Sequence, residues 1–134
     1  MSTKVRRRRR SVDLRKMQEE AHRYAKEKGF WDGTDVPIGS KLMLIVSEIA
    51  EAQEEDRDHD NPSWIYVRDF QGIRRSWDPR VHRNRKPEGF GVELADAVIR
   101  IGDLAERLGI DLSECVRIKM EFNRTRPRMH GKRS

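Results

Sequence analysis

Apolar residues recur every three or four positions in four stretches of the chain, which is the spacing of one face of an α-helix. No stretch shows a competing pattern of strict alternation, as a half-buried β-strand would. The four predicted helices run over about 12–28, 41–57 and 92–108 and from residue 111 towards a break at Pro127. The pattern therefore predicts an all-α bundle of about four main helices.

Capping residues mark the ends of these helices. Ser11 and Ser40 are expected to cap helices 1 and 2, because a serine hydroxyl accepts a hydrogen bond from a free N–H group of the first turn. Gly29 and Gly109 follow the last apolar positions of helices 1 and 3, where glycine commonly ends a helix. Helix 4 opens with a D-x-x-E capping arrangement that starts at Asp111.

The segment 58–90 is a long connection between helices 2 and 3. It contains three prolines and seven basic residues. Structureless loops of this length are uncommon inside compact domains, and within this one only 64–67 resemble a short ordered piece. We expect an insertion within a single helical domain that covers 11–132.

Helix 3 carries apolar residues on more than one side. At 100° per residue, four polar residues share a separate sector of this helix: Glu93, Asp96, Arg100 and Asp103. A helix of this kind is contacted on two sides, which favours a bundle that is completed by oligomerisation.

The composition limits the class of protein. The chain has 134 residues, of which 39% are charged and 35% hydrophobic, so it can form one domain with a modest core and not a large multidomain enzyme. The longest apolar run is five residues, 42–46, whereas a membrane span needs roughly 20. We expect a cytoplasmic protein with no membrane partner, since no apolar secretory stretch follows the N-terminal arginines. Cys115 has no second cysteine to pair with and is expected to fill the core.

The net charge of +6 comes from the ends of the chain. Residues 1–10 hold six basic residues and no acid, so the remainder contains 23 charges of each sign. Residues 122–134 hold five basic residues and no acid, which leaves an acidic body. We expect 1–10 to form a disordered basic arm, since like charges repel and no apolar residue offsets the entropy of ordering. Attraction to nucleic acid is the functional alternative for this arm.

Two pairs of acids lie on helices 2 and 3. Glu48 and Glu51 are three residues apart, as are Glu93 and Asp96, so each pair projects from one face of its helix. Four carboxylates brought together would repel one another unless a cation lay between them. Oxygen ligands favour Mg²⁺, with Mn²⁺ also possible, over zinc, and Mg²⁺ commonly completes its shell with phosphate oxygens. Acids at this spacing also occur on solvated helix faces, and that interpretation stays open for either pair alone.

These residues belong to a larger pattern. Ser47-Glu48-Ile49-Ala50-Glu51 followed by Glu93-Leu94-Ala95-Asp96 resembles the E-E-x-x-E and E-x-x-D motifs of MazG-like nucleotide pyrophosphohydrolases. The resemblance covers about 14–132 with the exception of 58–88, and it extends to Ala21-His22, to the turn at 28–31 and to the C-terminal motif at 119–132. Two features depart from the family pattern. Ser47 replaces the first acid of E-E-x-x-E, and the 41 residues between Glu51 and Glu93 exceed the usual gap.

The resemblance implies an all-α, Mg²⁺-dependent hydrolase that cleaves a (d)NTP between its α and β phosphates, giving the (d)NMP and pyrophosphate. The usual role of the family is cleansing of the nucleotide pool. Four carboxylates would hold the metal and carry the catalysis, one of them orienting or deprotonating the attacking water: Glu48, Glu51, Glu93 and Asp96. Family members also assemble into dimers or tetramers, so the resemblance implies a homo-oligomer.

Five further residues are candidates for binding the substrate. By resemblance, His22 and Trp31 would contact the base, although Trp31 could instead be a hydrophobic plug and His22 a surface residue. Lys119, Asn123 and Arg126 share one face of helix 4 and could reach phosphate or base, or could form a solvated basic helix end. The alternative function is that of a binding protein and not of an enzyme: a noncatalytic helical protein that binds nucleic acid through its basic ends and its insertion.

Overall fold

Four helices and one short β-hairpin form the secondary structure of the part of the chain that the computed structural model describes, residues 12–33, 35–58 and 61–128. In chain order the elements are α1 (Leu14–Glu27), α2 (Ile38–Asp58), β1 (Tyr66–Arg68), β2 (Arg74–Ser76), α3 (Phe90–Arg107) and α4 (Leu112–Thr125). The predicted all-α architecture of about four helices is confirmed. The segment 64–67, expected to be a short ordered piece, overlaps β1, which pairs with β2 within the long connection. The predicted basic arm, 1–10, and the end of the C-terminal motif, 129–132, lie outside the described residues.

The first helix starts two residues later than predicted because Asp13 caps it. The Asp13 carboxylate accepts hydrogen bonds from the N–H groups of Arg15, at 2.9 Å, and Lys16, at 3.1 Å. The N-cap is therefore Asp13 and not Ser11, which lies outside the described residues. The chain leaves the helix through Gly29, whose φ of 84° glycine adopts without strain, so the predicted end of α1 is confirmed.

The second helix starts earlier than predicted, directly after Pro37. The carbonyl of Pro37 accepts hydrogen bonds from Ser40 N, at 3.1 Å, and Lys41 N, at 3.4 Å. Ser40 therefore lies inside the first turn of α2, and the prediction that it caps this helix is wrong.

The hairpin pairs antiparallel, with Tyr66 opposite Ser76 and Arg68 opposite Arg74. Its turn is closed by the Asp69 carboxylate, which accepts two backbone hydrogen bonds from the turn. Tyr66 is fully buried and also exchanges two backbone hydrogen bonds with Glu88, at 3.0 and 2.8 Å. The end of the connection is thereby joined to its beginning, just before α3 starts.

The central helix is α3, which packs against α1 on one side and α2 on the other. Gly102 permits the close approach of α1, since a Cβ atom there would lie 2.7 Å from the sulfur of Met17. The core of the described residues is small, and its apolar members are Trp31, Ala52, Tyr66, Val67, Ala97, Leu104 and Ala105. Burial of this modest extent already suggests that much apolar surface is left uncovered.

The last helix packs mainly on α1. Asp111 caps it by accepting a hydrogen bond from Glu114 N at 3.1 Å, as predicted. The buried amide of Gln18 joins the two helices through Ile110 O, at 2.7 Å, and Leu112 N, at 3.1 Å. No residue of α4 is buried. Cys115 is exposed, so the expectation that it fills the core is wrong.

Within the described residues, every helix is too short or too polar to cross a membrane.

Candidate functional site

A cleft of about 480 Å³ lies between α1, α2 and α3. All four predicted carboxylates line it, together with residues of both charges and exposed aromatic rings. The lining residues on which the site depends are Tyr24, Phe30, Glu48, Glu51, Lys86, Glu93, Asp96, Arg100 and Asp103. The structure thus brings together the two acid pairs, which are separated in sequence by the 41 residues between Glu51 and Glu93.

The acids meet because α2 and α3 pack side by side with one polar sector each facing the cleft. Glu48 pairs with Arg100, whereas Glu51, further along α2, lies beside Glu93, nearer the start of α3. The two helices therefore run in opposite directions. Each i, i+3 pair of acids shares a helix face, so this packing sets one pair opposite the other.

Three of the four carboxylates form a tight cluster. Glu48, Glu51 and Glu93 each offer an oxygen atom, and these atoms all lie within 4.8 Å of one another. Glu48 and Glu93 are only 8% and 7% exposed, whereas Glu51 is open to solvent. Asp96 lines the same cleft but is not a member of this cluster. The spacing of these three oxygens is compatible with one small cation.

Two acids of the cluster, Glu48 and Glu93, have pKa values that differ from the ordinary ones. Burial, followed by the adjacent Glu51, raises the pKa of Glu93 to about 7. Burial also acts to raise the pKa of Glu48. The hydrogen bond from Arg100, together with weaker interactions, outweighs burial, so the pKa of Glu48 lies below its ordinary value. Near neutral pH, Glu93 therefore readily takes up a proton in place of a cation.

Asp96 is influenced by charges of both signs. Its burial and the negative charge of Glu48 raise its pKa, while the positive charges of Arg100 and Lys86 act to lower it. The net effect is a raised pKa.

The donor set of the cluster fits a hard divalent cation. All three groups offer carboxylate oxygen, which suits Mg²⁺, Mn²⁺ or Ca²⁺, and within the described residues neither cysteine nor histidine joins them. A divalent cation would also remove the repulsion that keeps a proton on Glu93. Clusters of acids also occur in proteins without a bound cation.

His22 and Trp31 contact Asp103, a residue of the cleft, but do not line the cleft themselves. Both are buried, and both donate to the same oxygen of Asp103: His22 Nδ1 and Trp31 Nε1 are each 2.8 Å from Asp103 Oδ1. Lys41 Nζ and the Arg107 guanidinium lie 4.3 and 5.0 Å from the centre of the Trp31 ring. Trp31 is thus packed between two cations. Its hydrogen bond to Asp103 connects it to a residue that lines the cleft.

Asp103 was predicted to lie in the polar sector of helix 3, but not to take part in binding or catalysis. The available signal was its position seven residues after Asp96, on the same helix face. Two aromatic residues of the cleft were also missed. Tyr24 and Phe30 line it and are 51% and 58% exposed, so these rings, and not that of Trp31, are accessible for stacking.

The candidate residues of α4 lie away from the cleft. Lys119 and Arg126 are stacked on the Phe122 ring, at 5.1 and 5.6 Å, and neither they nor Asn123 are among the residues that line the cleft. The structure therefore does not bring these three together with the carboxylates of the same chain.

No protein-family model, curated protein or solved structure matches this chain.

Proposed function

We propose that this chain is a metal-dependent hydrolase that cleaves a nucleoside triphosphate, (d)NTP, to the (d)NMP and pyrophosphate. One observation carries the proposal: Glu48, Glu51 and Glu93 converge from two helices to within 4.8 Å at a cleft. The resemblance of the same residues to the MazG-like motifs supports it. The expected cation is Mg²⁺, with Mn²⁺ as a substitute.

The cleft suits the two ends of a nucleotide. Its volume, about 480 Å³, is within the usual range for small-ligand sites. The acidic cluster provides a place for a metal-bound polyphosphate, while Tyr24 and Phe30 offer exposed rings on which a base can stack. Stacking accepts any base, so it does not select one.

The carboxylates have separate tasks in this proposal. Glu48, Glu51 and Glu93 hold the cation, and Asp96 adds a fourth carboxylate beside them. When bound, Mg²⁺ supplies positive charge that stabilises the charge developing on the phosphate oxygens. One of the four carboxylates orients or deprotonates the attacking water. Asp96, which lies outside the three-carboxylate cluster, has a raised pKa and so accepts a proton more readily than an ordinary aspartate.

We assign His22 and Trp31 to the end of the cleft that binds the nucleobase. There they hold Asp103 in place by their hydrogen bonds to its Oδ1 atom. Their two hydrogen bonds leave Asp103 Oδ2 without a hydrogen bond from the described residues. Lys119, Asn123 and Arg126 can take part in binding only at the cleft of another copy, because they do not line their own.

We also propose that the protein is a homo-oligomer. On α2, Leu42, Val46 and Ile49 lie on a side of the helix that faces neither the cleft nor α3, and all are about half exposed. Leu94, Val98 and Ile101 form a similar exposed stripe on α3. The two stripes together form the apolar back of the α2–α3 pair. A second copy is the occupant that would cover it, since the described core of one chain is so small.

Sedimentation tests this arrangement. The wild-type chain should sediment as a dimer or tetramer, and Val46→Glu should shift it towards the monomer, whereas Glu54→Gln on the polar side of α2 should not. A stable wild-type monomer with full activity would contradict it.

The rival function, nucleic-acid binding without catalysis, remains a prediction for the basic arm. Within the described part of the insertion, four of the seven basic residues are already paired with acids. This pairing reduces the charge available to a phosphate backbone, so no observation favours the rival.

A panel of canonical and modified nucleoside triphosphates tests the function. The protein is incubated with each one in the presence and absence of Mg²⁺, and pyrophosphate and the monophosphate are quantified. The proposal expects both products in equal amounts, only with the metal. No turnover of any nucleotide overturns it.

A further inference from the structure

The insertion between α2 and α3 holds seven basic residues, and most of them have partners within the described residues. Four form ion pairs at 3.2 to 3.7 Å: Arg68 with Glu88, Arg74 with Asp58, Arg75 with Asp69, and Arg80 with Asp78. Arg85 donates to the carbonyl of Arg68, at 3.2 Å, and stacks on Phe70. These five serve the structure of the insertion.

The other two, Arg83 and Lys86, make no hydrogen bond or ion pair with any described residue. They differ in where they lie. Lys86 lines the acidic cleft, whereas Arg83 is exposed and does not line it. A lysine that lines the acidic cleft without forming an ion pair remains available to a ligand.

The backbone fixes the approach of Lys86. Two residues later, Glu88 is paired with the buried Tyr66, and the Tyr66 hydroxyl donates to the Glu55 carboxylate on α2, at 2.7 and 2.8 Å. Next in the chain, Gly89 packs so closely on Trp64 that a Cβ atom would lie 2.3 Å from the Trp64 carbonyl oxygen. The backbone next to Lys86 is therefore anchored to the helix that carries Glu48 and Glu51. Because this backbone is already fixed, less entropy is lost when Lys86 binds a ligand.

The charges of the cleft indicate which ligand Lys86 would bind. Of the other cations there, Arg100 is held by Glu48 and Lys41 donates to the carbonyl of Phe30. Lys28, at the C-terminal end of α1, also forms no ion pair among the described residues, but it lies on a different element from the insertion. A triphosphate carries about four negative charges, more than one divalent cation neutralises, and lysine is a common partner of the remaining phosphate oxygens.

We propose that Lys86 is a substrate-binding residue, which the insertion supplies to hold the polyphosphate beside the acidic cluster. This inference rests on the proposed function and adds to it a residue outside the segments that resemble the family. The insertion is then part of the binding site as well as a connection between helices.

Steady-state kinetics of Lys86→Ala, Lys86→Arg and the matched control Arg83→Ala test this role, with the nucleotide that the wild-type protein hydrolyses best. Inhibition by inorganic tripolyphosphate is measured in parallel. Lys86→Ala should raise KM and the inhibition constant of tripolyphosphate by about tenfold or more, because a charge-assisted hydrogen bond is lost. Lys86→Arg should recover much of the loss, and Arg83→Ala should stay within about twofold of the wild type. Melting temperatures should change little, since neither side chain forms a hydrogen bond or an ion pair with a described residue.

Two outcomes would overturn the inference, and they are distinguishable. If the wild type hydrolyses nucleotides and Lys86→Ala matches Arg83→Ala in both constants, Lys86 does not bind the polyphosphate, while the proposed function stands. If the wild type hydrolyses no nucleotide, the proposed function fails and the role of Lys86 fails with it.

Discussion

Arg100 donates a hydrogen bond of 2.7 Å from Nε to Oε1 of Glu48, between the two helices that carry the acids. The Glu48 side chain is 11% exposed and that of Arg100 36% exposed. This ion pair places a cation of the protein itself on the edge of the acidic cluster. It therefore links the stability of the fold to the charge of the site.

Replacing Arg100 should make the fold more dependent on a metal. Arg100→Met leaves Glu48 without its cation, so we expect a loss of about 1–3 kcal/mol in the free energy of unfolding without metal. Saturating Mg²⁺ should then raise the melting temperature of the variant more than that of the wild type, because ligands that bind the native state stabilise it. Arg23→Met, which removes an exposed cation of α1, is the control. Equal effects of Mg²⁺ on all three proteins would exclude this link.

The pH dependence of stability should reflect Glu93. Burial and Glu51 raise its pKa from an ordinary 4.5 to about 7. Between these values the native state holds a proton that the unfolded chain has lost, so the contribution of Glu93 to stability falls as the pH rises through this window. Urea unfolding of the metal-free wild type and Glu93→Gln at pH 5 and pH 8 measures it. The variant should become more stable relative to the wild type at pH 8. An unchanged difference between the two proteins would mean that Glu93 ionises normally.

The hydroxyl of Tyr66 should contribute measurably to stability. It donates to Glu55, and burial followed by the Glu55 hydrogen bond raises the pKa of this phenol to about 12. Tyr66→Phe should lower the free energy of unfolding by about 1.5–3 kcal/mol, as for other hydrogen bonds to charged groups. Tyr24→Phe removes an exposed hydroxyl and should have little effect. A similar result for both variants would mean that the hairpin does not depend on this anchor.

Gly89 should tolerate no side chain. Its φ is 136°, and an added Cβ atom would lie 2.3 Å from the carbonyl oxygen of Trp64. Gly89→Ala should therefore destabilise the protein by about 2 kcal/mol or more, since backbone strain adds to the clash. Gly39 lies in α2 with no atom near its missing Cβ, so Gly39→Ala should be neutral or stabilising by up to about 1 kcal/mol. Thermal unfolding of both variants compares them, and equal melting temperatures would contradict the geometry at Gly89.

The helices could be predicted because each carries apolar residues at helical spacing over 14 residues or more. Their ends were less certain, since several residues compete for the same N–H groups. Asp13 lies closer to the first apolar turn of α1 than Ser11, and the Pro37 carbonyl starts α2 before Ser40. The hairpin was missed because its strands have three residues each, and Tyr66 is held there by Glu55 and Glu88, contacts that no local pattern reveals.

The candidate site shows a similar division. The spacing of Glu48 and Glu51, and of Glu93 and Asp96, was enough to predict that all four face one cleft. The partners of Asp103 could not be predicted, because they depend on how α1 packs across α3 and where the chain returns with Trp31. The place of Lys86 depends on the fold of the insertion, which the sequence pattern left undefined.

Calorimetric titration of Mn²⁺ or Mg²⁺ into the wild type, Glu51→Gln and Glu54→Gln tests the central claim most directly. Glu51 belongs to the three-carboxylate cluster, whereas Glu54, one turn further along α2, is exposed and lies outside it. We expect saturable binding that Glu51→Gln weakens by at least about tenfold, since even the loss of an outer partner of a metal ligand costs roughly 10–100-fold, and that Glu54→Gln leaves unchanged. No binding to the wild type, or the same affinity in all three proteins, would contradict the claim that these acids hold a divalent cation.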